Sequence, residues 1–126
     1  MWEAGLYSAI VPWILLLISS LWRYPAGLEE LVKWGILKLT ANDQLPTIQH
    51  GLVVGLIFGM SESVFYTLNA WSGGQWGAIG MRLITTVPMH IVTAGIIAFS
   101  MRHRRGGLGL VSAVLLHMSF NLLVGH

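Results

Sequence analysis

Glu62 stands in the middle of an apolar run, His50 to Trp71, that is long enough to cross a lipid bilayer. A spanning helix needs about 20 mostly apolar residues. A charged side chain at mid-bilayer costs several kcal/mol, so it is kept where it has a partner and a task. This one carboxylate therefore poses the main question about the fold. Other polar residues must reach the same depth from other helices.

Composition agrees with a membrane setting. Of 126 residues, 55% are hydrophobic and 10% charged, and the mean hydropathy is +0.70. An ordinary soluble domain carries about 25% charged residues. The reading is an integral membrane protein: an all-α, polytopic transmembrane bundle of about five helices, forming one domain over 1–126. The absence of cysteine excludes disulfides and thiolate chemistry. The net charge is only +2. Its dense basic run, Arg102 to Arg105, reads as a positive-inside signal and not as a nucleic-acid patch.

Along the chain, helix one is expected over Gly5 to Trp22, with Trp2, Trp13, Trp22 and Tyr24 as interface anchors and a mild kink at Pro12. With Glu3 its only early charge, it reads as a retained helix and not as a signal peptide. Arg23 to Gly27 reads as a turn. A second helical segment, Leu28 to about Thr40, carries Glu29 and Glu30 in its first turn and Lys33 four residues after Glu29. Taken alone it is a capped amphipathic surface helix. Thr40 to Gln49 is a loop. Helix three, His50 to Trp71, repeats small residues every four positions at Gly51, Gly55, Gly59 and Ser63, a stripe that admits a close neighbour. Helix four, Trp76 to Met101, is interrupted by Pro88. Helix five, Leu108 to Gly125, has Gly109, Ala113, His117 and Asn121 on one stripe.

With the Arg102–Arg105 turn cytoplasmic, the preferred topology has five crossings. In the alternative, the second segment only dips into the interface.

At about 1.5 Å of rise per residue, Glu62 lies about 18 Å into helix three, His90 about 16 Å from the end of helix four, and His117 about 15 Å into helix five. In the five-crossing topology Glu29 and Glu30 approach this layer too, and Asn121 borders it one turn beyond His117. Two imidazoles and a carboxylate match a catalytic zinc site with an open position. A further glutamate could then serve as base on the bound water. Without metal, a glutamate could activate water directly, while the histidines and Asn121 hold the water or an oxyanion. A proton or cation pathway draws on the same residue types.

Glu29-Glu30-Leu31-Val32-Lys33 resembles the EExxK motif of the PrsW family of intramembrane proteases. Phe58-Gly59-Met60-Ser61-Glu62 looks like its FxxxE motif. His90, with Arg82 upstream and Gly95 downstream, is similar to its histidine-bearing helix, and His117 to Asn121 resembles its HxxxN motif. The four occur in family order over about Leu28 to Leu123. The related CAAX prenyl endopeptidases usually carry an EExxxR motif and a histidine where Glu62 stands, so the PrsW branch is the better match. The scaffold subunit of gamma-secretase is a distant, non-proteolytic relative. In two departures, the chain is short for the family, and Ser63 stands where relatives often have Asn.

The resemblance implies an endopeptidase that cuts membrane-anchored proteins, the best-known role being the first cut in an anti-sigma factor. It implies a bacterial cytoplasmic membrane. Glu29 is the expected base, with Glu30 next. Glu62, His90 and His117 are the expected ligands if zinc (Zn2+) binds. Lys33 either pairs with a glutamate or snorkels to the surface. Arg82 either orients a carboxylate or anchors at the headgroups. No role is assigned to His50, His103 or His126. The expected partners are membrane lipid, an anchored protein substrate and, in a homo-oligomer, a second copy. The competing readings are a catalytically silent scaffold and a small transporter subunit.

Overall fold

The computed structural model describes residues 2–19, 25–41, 44–73 and 76–124. These residues form five α-helices and no strand: α1 Trp2–Ser19, α2 Pro25–Thr40, α3 Ile48–Ser72, α4 Trp76–Arg102 and α5 Gly106–Val124. Three stretches, Ile48–Leu68, Ile79–Arg102 and Gly106–Val124, are long and apolar enough to cross a membrane. Their outward residues are large and apolar. Leu68, Ile84 and Leu122 are among those left bare by the bundle, as lipid-facing positions should be.

The element boundaries depart from expectation in instructive ways. α2 begins at Pro25 and not at Leu28. Proline's fixed φ suits a first helical residue, and its missing N–H costs nothing there, so part of the expected Arg23–Gly27 turn is helix. The rest of that turn, with Trp22 and Tyr24, lies outside the described residues. Thr47 caps α3, its hydroxyl accepting from the His50 N–H at 3.1 Å. Pro88 does not interrupt α4, which runs through it. α4 ends where Arg104 takes a left-handed turn, φ 58. The Arg104 N–H bonds the Met101 carbonyl and the Arg105 N–H the Ser100 carbonyl. That is a Schellman stop with arginine in the place glycine usually takes.

Helix directions alternate. Gly51, Gly55 and Gly59 of α3 lie against Ala98, Ile91 and Val87 of α4, so these two are antiparallel. The closeness has a sequence cause. A Cβ on Gly51 would stand 2.6 Å from the Ala98 Cβ and 2.7 Å from the Ala94 carbonyl oxygen. The stripe on α3 is a contact seam, as its spacing suggests, and packing of this kind drives association where lipid removes the hydrophobic advantage. Gly109 seats α5 on Ser100 of α4 in the same way. α1 lies on α3, where Trp13 Nε1–H donates to Ser61 Oγ at 2.9 Å and Ser61 in turn donates to the Ala9 carbonyl.

α2 is the organising element. It packs against each of the other four helices, whereas α3 and α5 do not touch each other among the described residues. Its inward face is not the apolar one. Glu30 and Lys33 are completely buried while Leu31 and Leu39 are 49% and 75% exposed. Taken alone the segment reads as a surface helix, but here Glu30 and Lys33 turn into the bundle while Leu31 and Leu39 face out. Its C-terminal half carries Ile36 and Leu37 into a tight apolar layer with Val54, Ile97, Ala98 and Ala113. Thr40 then meets His50, whose Nε2–H donates to the threonine hydroxyl at 3.0 Å. His50, given no role from sequence, ties α2 to the start of α3.

Candidate active site

Just beyond the apolar layer, α2, α3, α4 and α5 each place an ionisable side chain in one connected group. Lys33 is its hub. Its ammonium donates to Glu30 Oε1 at 2.6 Å, to His90 Nδ1 at 2.6 Å and to Thr93 Oγ1 at 3.1 Å. All three of its protons are engaged, and its stem passes over the Phe58 ring, with Nζ 5.0 Å from the ring centre. Of the two roles open to Lys33 from sequence, pairing is the one it takes.

These bonds fix both imidazoles. An ammonium can only donate, so His90 Nδ1 is the acceptor and the ring proton sits on Nε2. His90 Nε2–H accordingly donates to Glu62 Oε2 at 2.5 Å. The Lys33 ammonium also holds Glu30 as a carboxylate, and that carboxylate accepts from His117 Nδ1–H at 2.7 Å. His117 Nε2 lies 3.7 Å from Glu29 Oε2. The rings of His90 and His117 stand edge to face with centres 5.2 Å apart, and Phe58 walls His90 at 5.4 Å.

Two carboxylate oxygens are orphaned in this setting. Glu29 Oε2 and Glu30 Oε2 are buried and accept no hydrogen bond from the described residues. Buried polar atoms are almost always satisfied, by ordered water where protein supplies no partner. The 3.7 Å between Glu29 Oε2 and His117 Nε2 is too long for a direct hydrogen bond. Among the described residues the group carries three carboxylates, Glu29, Glu30 and Glu62, against the one ammonium of Lys33.

The expected site residues thus fall in different places. Glu29, Glu30, Glu62, His90 and His117 come together. Asn121 does not join them. It is half-buried one turn beyond His117 and makes no side-chain hydrogen bond to the described residues. The side chain of Arg82 and all of His126 lie outside the described residues. The metal reading also shifts. Glu29, not Glu62, is the carboxylate that converges with His90 and His117, one ligand atom of each lying within 4.8 Å of the others. Glu62 is instead the acceptor for His90 Nε2–H. As a metal centre this set is poorly arranged, because both nitrogens of His90 are committed and the nearest neighbour of its Nδ1 is a cation. A metal needs a free lone pair on each imidazole.

Two contributors escape a sequence reading. Thr93 braces Lys33 and donates to the His90 carbonyl at 3.2 Å. Thr86, one turn before His90 on the same face of α4, is 5% exposed and its hydroxyl has no partner. Their spacing of three and four from His90 was the available signal, but threonine is too common in such helices to stand out. Ser63 donates to the Gly59 carbonyl at 2.7 Å, within its own helix and away from Glu62. No family model, no curated protein and no solved structure matches this chain.

Proposed function

We propose that this protein is an intramembrane endopeptidase that hydrolyses a peptide bond of a membrane-anchored protein, with water activated by Glu29 and without a metal. One observation carries the reading: Glu29 Oε2 and Glu30 Oε2 are buried with no hydrogen-bond partner among the described residues, and Glu29 Oε2 stands 3.7 Å from His117 Nε2. A water held between Glu29 and His117 keeps its own lone pair for a carbonyl carbon. As it attacks, its proton passes to Glu29. The C–N bond then breaks, and the same proton goes to the leaving amine. Lys33, Glu30, His90 and Glu62 hold the two rings and reach no substrate atom. Thr86, whose buried hydroxyl has no partner among the described residues, is the donor left for the developing oxyanion.

The closed end of the site supports a hydrolase over a transporter. The layer of Leu37, Val54, Ile97 and Ala113 is 5% exposed or less at every member, so no continuous polar path runs through it. Access comes from the side where Glu29 and Glu62 keep 17% and 12% of their side-chain surface. The motif resemblance suggests a PrsW-type enzyme of a bacterial cytoplasmic membrane, with the Arg102–Arg105 turn cytoplasmic and an anti-sigma factor as the substrate class.

The test is cleavage of a panel of single-span reporter proteins by purified protein in liposomes. Glu29→Gln keeps the shape but not the base, and it is expected to lower the rate by about 100-fold or more. His117→Gln should do the same, and a strong zinc chelator should leave cleavage unchanged. Cleavage that survives Glu29→Gln would remove the base proposed here. Loss on chelation with recovery on added zinc would replace the metal-free route. No cleavage of any reporter by wild type would favour the silent scaffold.

A further inference from the structure

A second polar site lies at the opposite side of the apolar layer, where α2 and α4 end and α5 begins. A cavity of about 470 Å3 opens there, lined among others by Trp34, Lys38, Gln44, Arg104 and Gly106. It shares no residue with the Glu–His group.

Its lining offers donors and positive charge that no carboxylate among the described residues receives. The Trp34 indole Nε1 is buried and has no hydrogen-bond acceptor, which is uncommon for a buried donor. Lys38 Nζ stands 5.0 Å from the centre of the Trp34 ring. Neither Lys38 nor Arg104 pairs with a carboxylate among the described residues. α5 starts at Gly106, and the first amides of a helix have no partner of their own and favour an anion. Gly106 also leaves room. A Cβ there would lie 3.3 Å from Trp34 Nε1, so a side chain would begin to cover the indole N–H.

Lys38 could be read as no more than a favourable charge at the last turn of α2. That does not account for the buried indole donor, nor for the arginine held in a left-handed turn where glycine is cheaper. The position selects the ligand further. The cavity lies at the end of the bundle, where lipid headgroups meet the protein, and exposed Leu39, Leu45 and Leu108 flank it. Basic pockets between spanning helices at this level suit anionic headgroups.

We propose that this cavity binds the phosphate of an anionic phospholipid headgroup, with Lys38 and Arg104 supplying charge, Trp34 Nε1–H and the first amides of α5 donating hydrogen bonds, and the flanking leucines meeting the acyl chains. The claim is independent of the hydrolase reading.

The experiment follows the indole N–H of Trp34 by proton–nitrogen NMR of the full chain in uncharged maltoside micelles, assigned by its loss in Trp34→Phe. Short-chain phosphatidylglycerol, short-chain phosphatidylcholine and inorganic phosphate are titrated separately. Phosphatidylglycerol is expected to move the Trp34 resonance in a saturable way and at lower concentration than phosphatidylcholine. In the Lys38→Gln, Arg104→Gln double variant its half-saturation point should rise by about tenfold or more, as for loss of a charge-assisted bond. The other indole resonances report whether that variant is still folded. Movement with inorganic phosphate but not with phosphatidylglycerol would keep an anion site and overturn its lipid source. No movement with either, or equal response to both lipids, would overturn the proposal on the wild-type protein alone.

Discussion

Lys33→Met is expected to destabilise the protein by about 3–5 kcal/mol, the usual cost of removing one member of a buried ion pair. The reason lies in what is left behind. Lys33 is wholly buried and donates to Glu30, His90 and Thr93. Without it, Glu30 becomes a buried carboxylate with an imidazole N–H as its remaining donor, and His90 loses the bond that fixes its tautomer. The companion variant Glu30→Gln, Lys33→Met removes the charge on both sides, and it should recover much of the stability because the unpaired charge is gone. Lys33→Arg should not rescue the wild-type behaviour, since a planar fork cannot take the place of a compact ammonium with three divergent donors. Unfolding in mixed micelles, followed by far-ultraviolet circular dichroism, measures all three. A single variant as stable as wild type would show that the ammonium is not the hub described here. The double variant should also be inactive, which separates stability from hydrolysis: the fold can do without this pair, while the proposed chemistry cannot.

What could be read from sequence depended on whether a residue's place follows from its own helix. The seam on α3 was legible because Gly51, Gly55, Gly59 and Ser63 share a face whatever lies opposite. The common depth of Glu62, His90 and His117 was legible because each depth is counted along one helix, and the three do converge. The rotation of α2 was not legible. Glu29 and Glu30 are neighbours in sequence and point about 100° apart on a helix. Only packing against four partners decides that Glu30 pairs with Lys33 while Glu29 faces His117. Charge usually marks the wet face of a helix, and taken alone that habit leaves α2 on the surface, whereas the five-crossing topology brings Glu29 and Glu30 to the polar layer. Inside a membrane bundle the costly side chains turn to one another, so Leu31 and Leu39 look outward. Which carboxylate stands with both histidines was hidden for a related reason. Glu62 and Glu29 are equally plausible by depth, and the choice between them rests on which side of His90 each approaches. Asn121 was placed by its spacing from His117, but one helical turn carries it past the reach of the network.

Gly55→Ala should cost about 3 kcal/mol, near the upper end for overpacking, and should abolish cleavage as well. At most helical positions the same change stabilises, because alanine is the better helix former by about 1 kcal/mol. At Gly55 the added Cβ meets the carbonyl of His90 and stands 2.7 Å from the Cα of Ile91. Both are backbone atoms and cannot turn aside, so α3 and α4 must separate along the seam. The separation falls where Glu62 on α3 holds His90 on α4 at 2.5 Å, and a bond that short does not survive a shift of about 1 Å. Stability and activity should therefore fall together, although Gly55 touches no substrate. Gly35→Ala is the matched control. That position lies on α2, within the same bundle, and a Cβ there meets nothing within 4 Å. It should raise stability by up to about 1 kcal/mol and leave cleavage unchanged. If both variants shifted stability in the same direction, the α3–α4 seam would not be the close contact that positions His90. Opposite signs would show that the glycine is kept for the approach of two backbones, and that the approach in turn sets the histidine.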